Sequence, residues 1–267
     1  MQGKQVSDIE TNLHKNWWET LFDQTYLLTD GDAVENPLLT SEEVDILLGV
    51  VAVNPDDRIV DLCCGQGRHV IELARRGFTN IAGRDGSAFL TGVAQSRSAA
   101  AGLNLLFETG DVRGAKPDTL GQAKLVTLLG NSFGYFEDPE SDKEVLQAAY
   151  GLLAPEGFLY LDVADGDWLR ANYSPASWEW VAEDKLVCRE RKLSGDRLIS
   201  REMLISTSTG VLADRTYAER LYTPDIVQAS LRLVGFTKTW VEEIALASGG
   251  ADPGMMGRRF VCMAQRD

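Results

Sequence analysis

The chain of 267 residues is poor in the residue types that build metal centres and catalytic triads. It contains four cysteines, none in a Cys-x-x-Cys spacing, and only two histidines, His14 and His69. A zinc site needs a cluster of such ligands, so no metal site is expected. The sequence has no nucleophile-elbow motif whose serine either histidine could activate, which argues against a Ser-His-Asp triad. The cysteines are expected to be free thiols in a reducing compartment.

Positive charge and long hydrophobic runs are also scarce. Lys and Arg number 26 against 40 Asp and Glu, which gives a formal net charge of −14. Without a basic stripe to displace counterions from phosphates, nucleic acid is not an expected partner. No apolar run approaches the roughly 20 residues of a membrane helix, and no N-terminal signal pattern is present. The sequence predicts a cytoplasmic protein with no membrane partner, and it leaves the oligomeric state open, a homodimer being one option.

The middle of the chain alternates short apolar runs with helical patterns, which is typical of βαβ units and a parallel sheet. Strands are predicted at residues 58–63, 80–83, 105–108, 124–129 and 158–163. A helix start at Thr223-Pro224-Asp225 and two later apolar stretches, 236–245 and 259–264, complete the pattern. We predict an α/β fold with a Rossmann-like, seven-stranded, mostly parallel sheet that has helices on both faces.

Two segments depart from this rhythm. Period-two stretches with Ser-Gly-Asp and Thr-Gly breaks predict an inserted antiparallel β cap over residues 171–221. Residues 1–43 carry aromatic side chains at helical spacing and are predicted to form an N-terminal helical lid, although such rings could simply pack on the core. The remaining residues, 44–170 and 222–267, are assigned to the Rossmann-like core.

Acidic residues and glycines follow the first three predicted strands. Asp61 precedes a Gly-Gln-Gly turn at residues 65–67, where a missing Cβ lets a ligand approach the backbone. Asp85 follows the second strand and can accept hydrogen bonds from two ribose hydroxyls. Asp111 follows the third strand, where it can reach the exocyclic amine of an adenine. Because open α/β sheets bind ligands at the carboxyl ends of their strands, these groups predict a nucleoside site.

The glycine turn separates this site from two common nucleotide motifs. A dinucleotide fingerprint needs Gly or Ala where this chain has Val70, and no Gly-x-x-x-x-Gly-Lys-Ser/Thr phosphate loop occurs. An acidic crevice suits a ligand whose reactive centre is cationic, such as a sulfonium.

Residues 44–263 resemble the class I S-adenosylmethionine-dependent methyltransferases. The matching motifs are VDLCCGQGRHVIELARRG, the acid after the second strand, GDVR, GFLYLDV and the LYTPD tail. The Trp-Trp leader and the inserted segment resemble the small-molecule enzymes that carry a β cap. The resemblance implies in-line transfer of a methyl group from S-adenosylmethionine to an N or O nucleophile of a small-molecule acceptor, with S-adenosylhomocysteine as the product.

The resemblance also implies roles for individual residues. The cofactor-binding candidates are Asp61, Cys63, Gly65, Gly67, Arg68, Asp85, Gly86, Asp111, Val112 and Asn131. The acceptor-binding candidates are Trp18, Phe133, Tyr135, Phe136 and Tyr173. The candidates for a catalytic base are Tyr26, Tyr135 and Asp165, and each has a structural alternative; Asp165 could instead cap the helix that follows it.

Two positions depart from the family pattern. Arg84 stands where the family usually has an apolar residue, and Gly86 lacks the side chain that usually forms one wall of the adenine slot. Either another side chain fills this gap, from the leader or the cap, or cofactor affinity is weak. This gap is the main support for one alternative function, a nonenzymatic cofactor-binding scaffold. A second alternative also stays open, the use of another bond of S-adenosylmethionine in aminocarboxypropyl transfer or cyclisation.

Overall fold

The computed structural model describes residues 9–245 and 257–267. The first eight residues of the predicted lid and residues 246–256 of the predicted core lie outside the described residues. The strands are β1 (Ile59–Leu62), β2 (Ile81–Asp85), β3 (Leu106–Thr109), β4 (Ala123–Leu128), β5 (Leu153–Ala164), β6 (Ala176–Ala182), β7 (Lys185–Ser194), β8 (Arg197–Ser206), β9 (Gly210–Arg220), β10 (Lys238–Ala245) and β11 (Arg258–Gln265).

Seven strands form one sheet in the order β10-β11-β5-β4-β1-β2-β3. The pairs among β1 to β5 are all parallel, and β11 runs antiparallel to both of its neighbours. The crossovers between β1 and β4 carry helices, as parallel connections require. The prediction of a seven-stranded, mostly parallel sheet is confirmed.

Helices cover both faces of this sheet. The α-helices of the described residues are α1 (Trp18–Leu21), α2 (Gln24–Thr29), α3 (Gly31–Val34), α4 (Pro37–Val50), α5 (Arg68–Arg75), α6 (Ala88–Ala100), α7 (Pro117–Leu120), α8 (Pro139–Leu152), α9 (Gly166–Asn172) and α10 (Pro224–Val234). Along β1, Ile59 packs in the apolar cluster under α4 and α5, whereas Val60 and Leu62 pack in the cluster under α8 and α10. Both faces of the strand are therefore buried, which explains its continuous apolar sequence. No helix among the described residues is long and apolar enough to cross a membrane.

Local sequence signals set several helix boundaries. Asn36 and Thr223 accept hydrogen bonds from backbone amides of the first turns of α4 and α10, and each helix has proline at its first position. The helix start at Thr223 is thereby confirmed. Two helices cross predicted domain boundaries: α4 spans the division after residue 43, and α9 spans the division after residue 170.

The inserted segment forms a separate antiparallel sheet in the order β6-β7-β8-β9, as predicted. The chain enters and leaves this cap at one point, where the Gly166 amide donates to the Tyr222 carbonyl oxygen at 2.9 Å. A Cβ on Gly166 would overlap the Tyr222 carbonyl, so this close crossing requires glycine. At the end of β9 the Arg220 amide donates to the Gly134 carbonyl at 2.7 Å, which joins the cap to the loop after β4.

The cap holds the N-terminal helices through three charged residues in register on neighbouring strands, Arg189, Glu202 and Arg215, which we call the leader clamp. Glu202 accepts hydrogen bonds from Arg189 Nε at 2.8 Å and from Arg215 Nη2 at 2.6 Å. Arg189 also donates to the carbonyl of Thr29 at 2.6 Å, and Arg215 donates to that of Leu21 at 2.9 Å. The leader and the cap are therefore joined directly.

Candidate active site

A cavity of about 360 Å³ lies at the carboxyl ends of β1, β2, β3 and β4, within the size range of small-molecule sites. The strand ends and the loop after β4 form one part of its lining, and the leader helices form another. The predicted site residues that line it are Trp18, Tyr26, Cys63, Gly65, Arg68, Asp85, Gly86, Asp111, Val112, Phe133, Tyr135 and Phe136. The fold thus brings together residues that are far apart in the sequence.

Five predicted site residues lie outside that lining: Asp61, Gly67, Asn131, Asp165 and Tyr173. Tyr173 packs instead against the small apolar cluster around Leu169 and Leu198. Asp165 accepts hydrogen bonds from the amides of Asp167 and Trp168 at the start of α9. In this structure Asp165 therefore has the capping role that was its alternative, Tyr173 has a packing role, and neither lies in the lining of the cavity.

The two glycines of the turn after β1 have different reasons to be glycine. Both have left-handed backbone angles, with φ of +53° at Gly65 and +77° at Gly67. A Cβ on Gly67 would lie 2.9 Å from Ala94 and from Phe107, so close packing of α6 and β3 requires this glycine. A Cβ on Gly65 would meet one side-chain atom at an ordinary 3.8 Å. Gly65 lines the cavity, and Gly67 supports the turn from behind.

Asp85 joins the glycine turn to the end of β2. Its carboxylate accepts hydrogen bonds from the amides of Gly65 and Ser87, both at 2.8 Å. Burial raises the pKa of Asp85, although these two hydrogen bonds oppose the shift. A carboxylate can accept about four hydrogen bonds, so two positions are left for ligand hydroxyls.

Arg84, the unexpected charge in β2, braces the loop after β3. Its guanidinium forms an ion pair with Glu108 at 2.7 Å and donates to the Asp111 carbonyl at 2.9 and 3.1 Å. A Cβ on Gly110 would overlap that guanidinium, which explains the glycine before Asp111. The Asp111 carboxylate is bound by Arg113, whose hydrogen bonds hold its pKa below the ordinary value.

Gly86, the residue after β2, leaves open space beside the cavity. A Cβ at this position would meet nothing within 4 Å, so the family's usual wall is absent. The neighbouring Ser87 hydroxyl donates to the Phe22 carbonyl at 2.6 Å, which fixes the leader beside the gap. The Phe22 ring lies 5.1 Å from Tyr26 and 5.9 Å from Tyr135, measured between ring centroids. Aromatic rings from the leader thus border the cavity where β2 supplies none.

Asp61 lies just outside the cavity with one unsatisfied oxygen. Its Oδ1 accepts a hydrogen bond from the Thr127 hydroxyl at 2.6 Å, and its Oδ2 has no partner among residues 9–245 and 257–267. Burial raises the pKa of Asp61 to about 7. An unpaired buried carboxylate is costly, and a cationic donor would relieve that cost.

A buried ionic cluster that the sequence pattern does not reveal holds Arg68 at the cavity. Glu43 accepts hydrogen bonds from Arg68, from Arg259 and from His69 Nε2, the last at 2.8 Å. Although burial alone would raise the pKa of Glu43, these three partners hold it well below its ordinary value. Burial and the nearby Arg68 lower the pKa of His69 to about 4, so the imidazole is neutral at pH 7. Arg68 therefore has a structural partner and also faces the cavity.

Asn131 links the core sheet to the cap. Its side-chain oxygen accepts from the Ala164 amide at the end of β5, and its Nδ2 donates to Glu219 Oε2 on β9, both at 2.9 Å. Its φ of +58° is unusual for a residue other than glycine. Burial raises the pKa of Glu219, and the Asn131 hydrogen bond opposes that shift. Sequence patterns do not point to Glu219, because its partner is 88 residues away.

Comparison with known proteins connects this geometry to a reaction class. A family model described as a methyltransferase domain matches residues 59–157. The Bacillus subtilis protein YqeM, provisionally named a methyltransferase, is 24% identical over 213 residues, which cover 78% of this chain and 84% of that protein.

Two solved structures share the fold over nearly the whole chain. The CcbJ methyltransferase of Streptomyces caelestis superposes with a TM-score of 0.71 at 17% identity, over 92% of this chain and 98% of that one. CalS10, an amino pentose methyltransferase from Micromonospora echinaspora solved with S-adenosylmethionine bound, gives 0.63 at 20% identity, over 96% and 100%. Residues 59–157 therefore match a methyltransferase domain, and the chain as a whole shares the fold of these two methyltransferases.

Proposed function

We propose that the protein transfers the methyl group of S-adenosylmethionine to an N or O nucleophile of a small-molecule acceptor. The observation that carries this proposal is the cavity in which acidic strand ends meet aromatic rings of the leader and of the loop after β4. Its volume of about 360 Å³ favours a small molecule over a protein or RNA acceptor.

The residues around the cavity fit the cofactor from end to end. Asp85 would bind the ribose hydroxyls with the oxygen positions that its backbone donors leave free. The unpartnered oxygen of Asp61 fits the cationic ammonium of the methionine part, and Arg68 would face its carboxylate. Asp111 and Val112 would border the adenine, and Phe22 supplies an aromatic surface beside Gly86, so the open slot does not by itself favour a scaffold role.

The electrostatics of the lining favour a positively charged ligand. Four carboxyl groups line the cavity, those of Glu19, Asp85, Asp111 and Asp142, against the two guanidinium groups of Arg68 and Arg113. Both guanidiniums are already paired with carboxylates, and Asp111 and Asp142 are paired with arginines in turn. Glu19 and Asp85 are the lining carboxylates without a guanidinium contact among the residues that the structure describes. When bound, S-adenosylmethionine supplies a methyl carbon activated by its sulfonium. The chain's own residues have to align the acceptor with that carbon and exclude water.

Tyr26 and Tyr135 are proposed as acceptor anchors rather than bases. Burial, followed by nearby acidic groups, raises the pKa of both phenols above the ordinary value. Both hydroxyls therefore stay protonated at neutral pH and can donate a hydrogen bond to a polar acceptor. Trp18 stacks edge-on against Phe136 with a centroid distance of 4.9 Å, which gives the acceptor an apolar wall.

Titration calorimetry with S-adenosylhomocysteine tests the proposed cofactor site. We expect one molecule bound per chain and at least about tenfold weaker binding by Asp85→Asn, because a carboxylate that accepts charge-assisted hydrogen bonds is lost. Asp56→Asn, on the exposed loop before β1, is the matched control. If the wild type does not bind this compound at millimolar concentration, the proposal is wrong.

A reaction assay tests the proposed chemistry. The protein is incubated with S-adenosylmethionine and a panel of small amines and alcohols, amino sugars among them. We expect S-adenosylhomocysteine and a methylated product by mass spectrometry. Methylthioadenosine in place of S-adenosylhomocysteine would instead support aminocarboxypropyl transfer or cyclisation, and binding without any turnover would support the scaffold alternative.

A further inference from the structure

We propose that Glu219 is an acceptor-binding residue, and that it selects acceptors whose nucleophile is a basic amine. This inference rests on the proposed function and adds the chemical class of the acceptor. Glu219 is outside the set of site residues that the motifs indicate.

The position of Glu219 is fixed from two sides. The next residue, Arg220, donates its amide to the Gly134 carbonyl at 2.7 Å, so this end of β9 lies against the loop after β4. Several residues of that loop, including Gly134 and Tyr135, line the cavity. From the core, Asn131 holds Glu219 Oε2 at 2.9 Å and is itself tied to the end of β5. The carboxylate is therefore held next to the loop that lines the cavity. Glu219 is not itself among the lining residues, but it lies close enough to Tyr135 for its charge to raise the pKa of that phenol.

The partner of Glu219 distinguishes it from four other buried carboxylates, whereas Asp61 and Asp85 share with it partners that are neutral. Glu43 and Glu202 each contact two guanidinium groups directly, and Asp142 and Asp162 contact one each. The hydrogen-bond partner of Glu219 is a neutral amide.

Arg191 on β7 and Tyr135 on the loop interact with Glu219 through charge, and Tyr217 lies two residues before it on β9. Arg191 acts on Glu219 through its charge, while its guanidinium donates to the Ser174 carbonyl and the Ser177 hydroxyl. A buried carboxylate without a cation in contact is costly, and an ammonium ligand would relieve that cost. Because Asn131 occupies Oε2, Oε1 is left for such a ligand.

Glu219 can also accept the proton that an amine acceptor has to lose. An amine binds as its ammonium ion, but its nitrogen needs a free lone pair to attack a methyl carbon. The N–H bond breaks, its electron pair stays on nitrogen, and Glu219 Oε1 takes the proton. Burial raises the pKa of Glu219, which favours this acceptance. A hydroxyl acceptor carries no positive charge and would gain less from this carboxylate.

Two cofactor analogues test the inference without knowledge of the natural acceptor. Sinefungin carries a primary amine on a carbon that replaces the methylated sulfur, and S-adenosylhomocysteine lacks that amine. We expect Glu219→Gln to weaken sinefungin binding about tenfold, as expected for loss of a hydrogen bond between charged groups, and to change S-adenosylhomocysteine binding less than about twofold. Glu183→Gln, an exposed change in the turn after β6, should change neither affinity.

The outcomes separate this inference from the proposed function. If the wild type binds neither analogue, the proposed function fails and this inference fails with it. If both bind and Glu219→Gln weakens them equally, or weakens neither, Glu219 does not bind an acceptor amine and the inference alone is overturned. Glu219→Asp keeps the charge and should retain part of the sinefungin affinity, a rescue that a merely structural role would not produce. If Glu219→Gln does not fold, the test uses Glu219→Asp alone. Because its carboxylate is displaced, Glu219→Asp should lose more affinity for sinefungin than for S-adenosylhomocysteine. An equal loss of both affinities would overturn the inference.

An acceptor panel gives an independent readout. Matched pairs of amines and alcohols with the same carbon skeleton are assayed for S-adenosylhomocysteine formation with wild-type protein and Glu219→Gln. We expect the wild type to methylate amines and the variant to lose at least about tenfold in kcat/KM on them. Methylation of alcohols alone, or equal activity of the variant on amines, would overturn the inference.

Discussion

Replacement of Glu202 by glutamine should open the leader clamp. This carboxylate is 1% exposed and lies 2.8 Å from Arg189 and 2.6 Å from Arg215, so both guanidiniums lose their most buried counter-charge together. Breaking a buried ion pair from one side costs about 3–5 kcal/mol when a charge is left buried and uncompensated. Because Arg189 keeps Glu179 and Asp30 as partners, and Arg215 keeps Asp23, we expect a loss toward the lower end of that range. The same arginines bind backbone carbonyls of the leader, so the cost should include partial release of its helices.

The matched control is Asp214→Asn on the same sheet. Asp214 binds Arg201 at 2.6 and 2.8 Å, distances close to those at Glu202, but its side chain is 42% exposed. Exposed pairs contribute about 0.2–1 kcal/mol, so burial is the main difference between the two sites.

Urea unfolding and limited proteolysis measure the two effects. We expect Glu202→Gln to lower the free energy of unfolding by several times the loss in Asp214→Asn, and to make residues 9–36 cleave faster. S-adenosylhomocysteine affinity should fall as well, because the leader rings border the cavity. Equal losses of stability in the two variants, with an unchanged leader, would refute the clamp.

Two further predictions concern the cofactor site. The pKa of Asp61 is raised to about 7, so this carboxyl loses its negative charge as pH falls through that value. The affinity for S-adenosylhomocysteine, measured by calorimetry, should therefore decrease about tenfold from about pH 8 to about pH 6. Asp61→Asn should abolish this pH dependence. Gly67→Ala should lower the free energy of unfolding by about 1–3 kcal/mol, because its Cβ meets Ala94 and Phe107 at 2.9 Å. Gly86→Ala, which faces the cavity, should change it by less than about 0.5 kcal/mol, and equal destabilisation would contradict the different roles of the two glycines.

The fold could be predicted because its signals are local. Buried parallel strands read as short apolar runs, and the helix start at Thr223 carries both a cap and a proline. The ends of individual strands were harder to predict from the sequence. The strand predicted at 158–163 is part of β5, which begins at Leu153 beside a register shift opposite Ala123 and Leu125. Such irregularities depend on the neighbouring strand and leave no local pattern.

The candidate site could be predicted in part, for the same reason. Asp85 and Asp111 follow strands whose ends meet, so their closeness follows from sheet topology. Gly67 and Asp165 lie in the same segments, but contacts with α6 and with the first turn of α9 determine their roles. A sequence motif cannot separate a glycine that admits a ligand from one that admits a neighbouring helix.

The single crossing at which the chain enters and leaves the cap bears on how the ligand preference of a protein with this fold could change. Segments whose two ends lie close together can be exchanged with little effect on the scaffold that carries them. The Gly166–Tyr222 hydrogen bond joins such a pair of ends. A β sheet from another protein could therefore replace the cap at this point while the seven-stranded sheet and its helices are kept. Arg189 and Arg215 bind the N-terminal helices, so a folded chimaera would need the cap and the leader from the same protein. We therefore expect the cap and the leader to determine ligand specificity together.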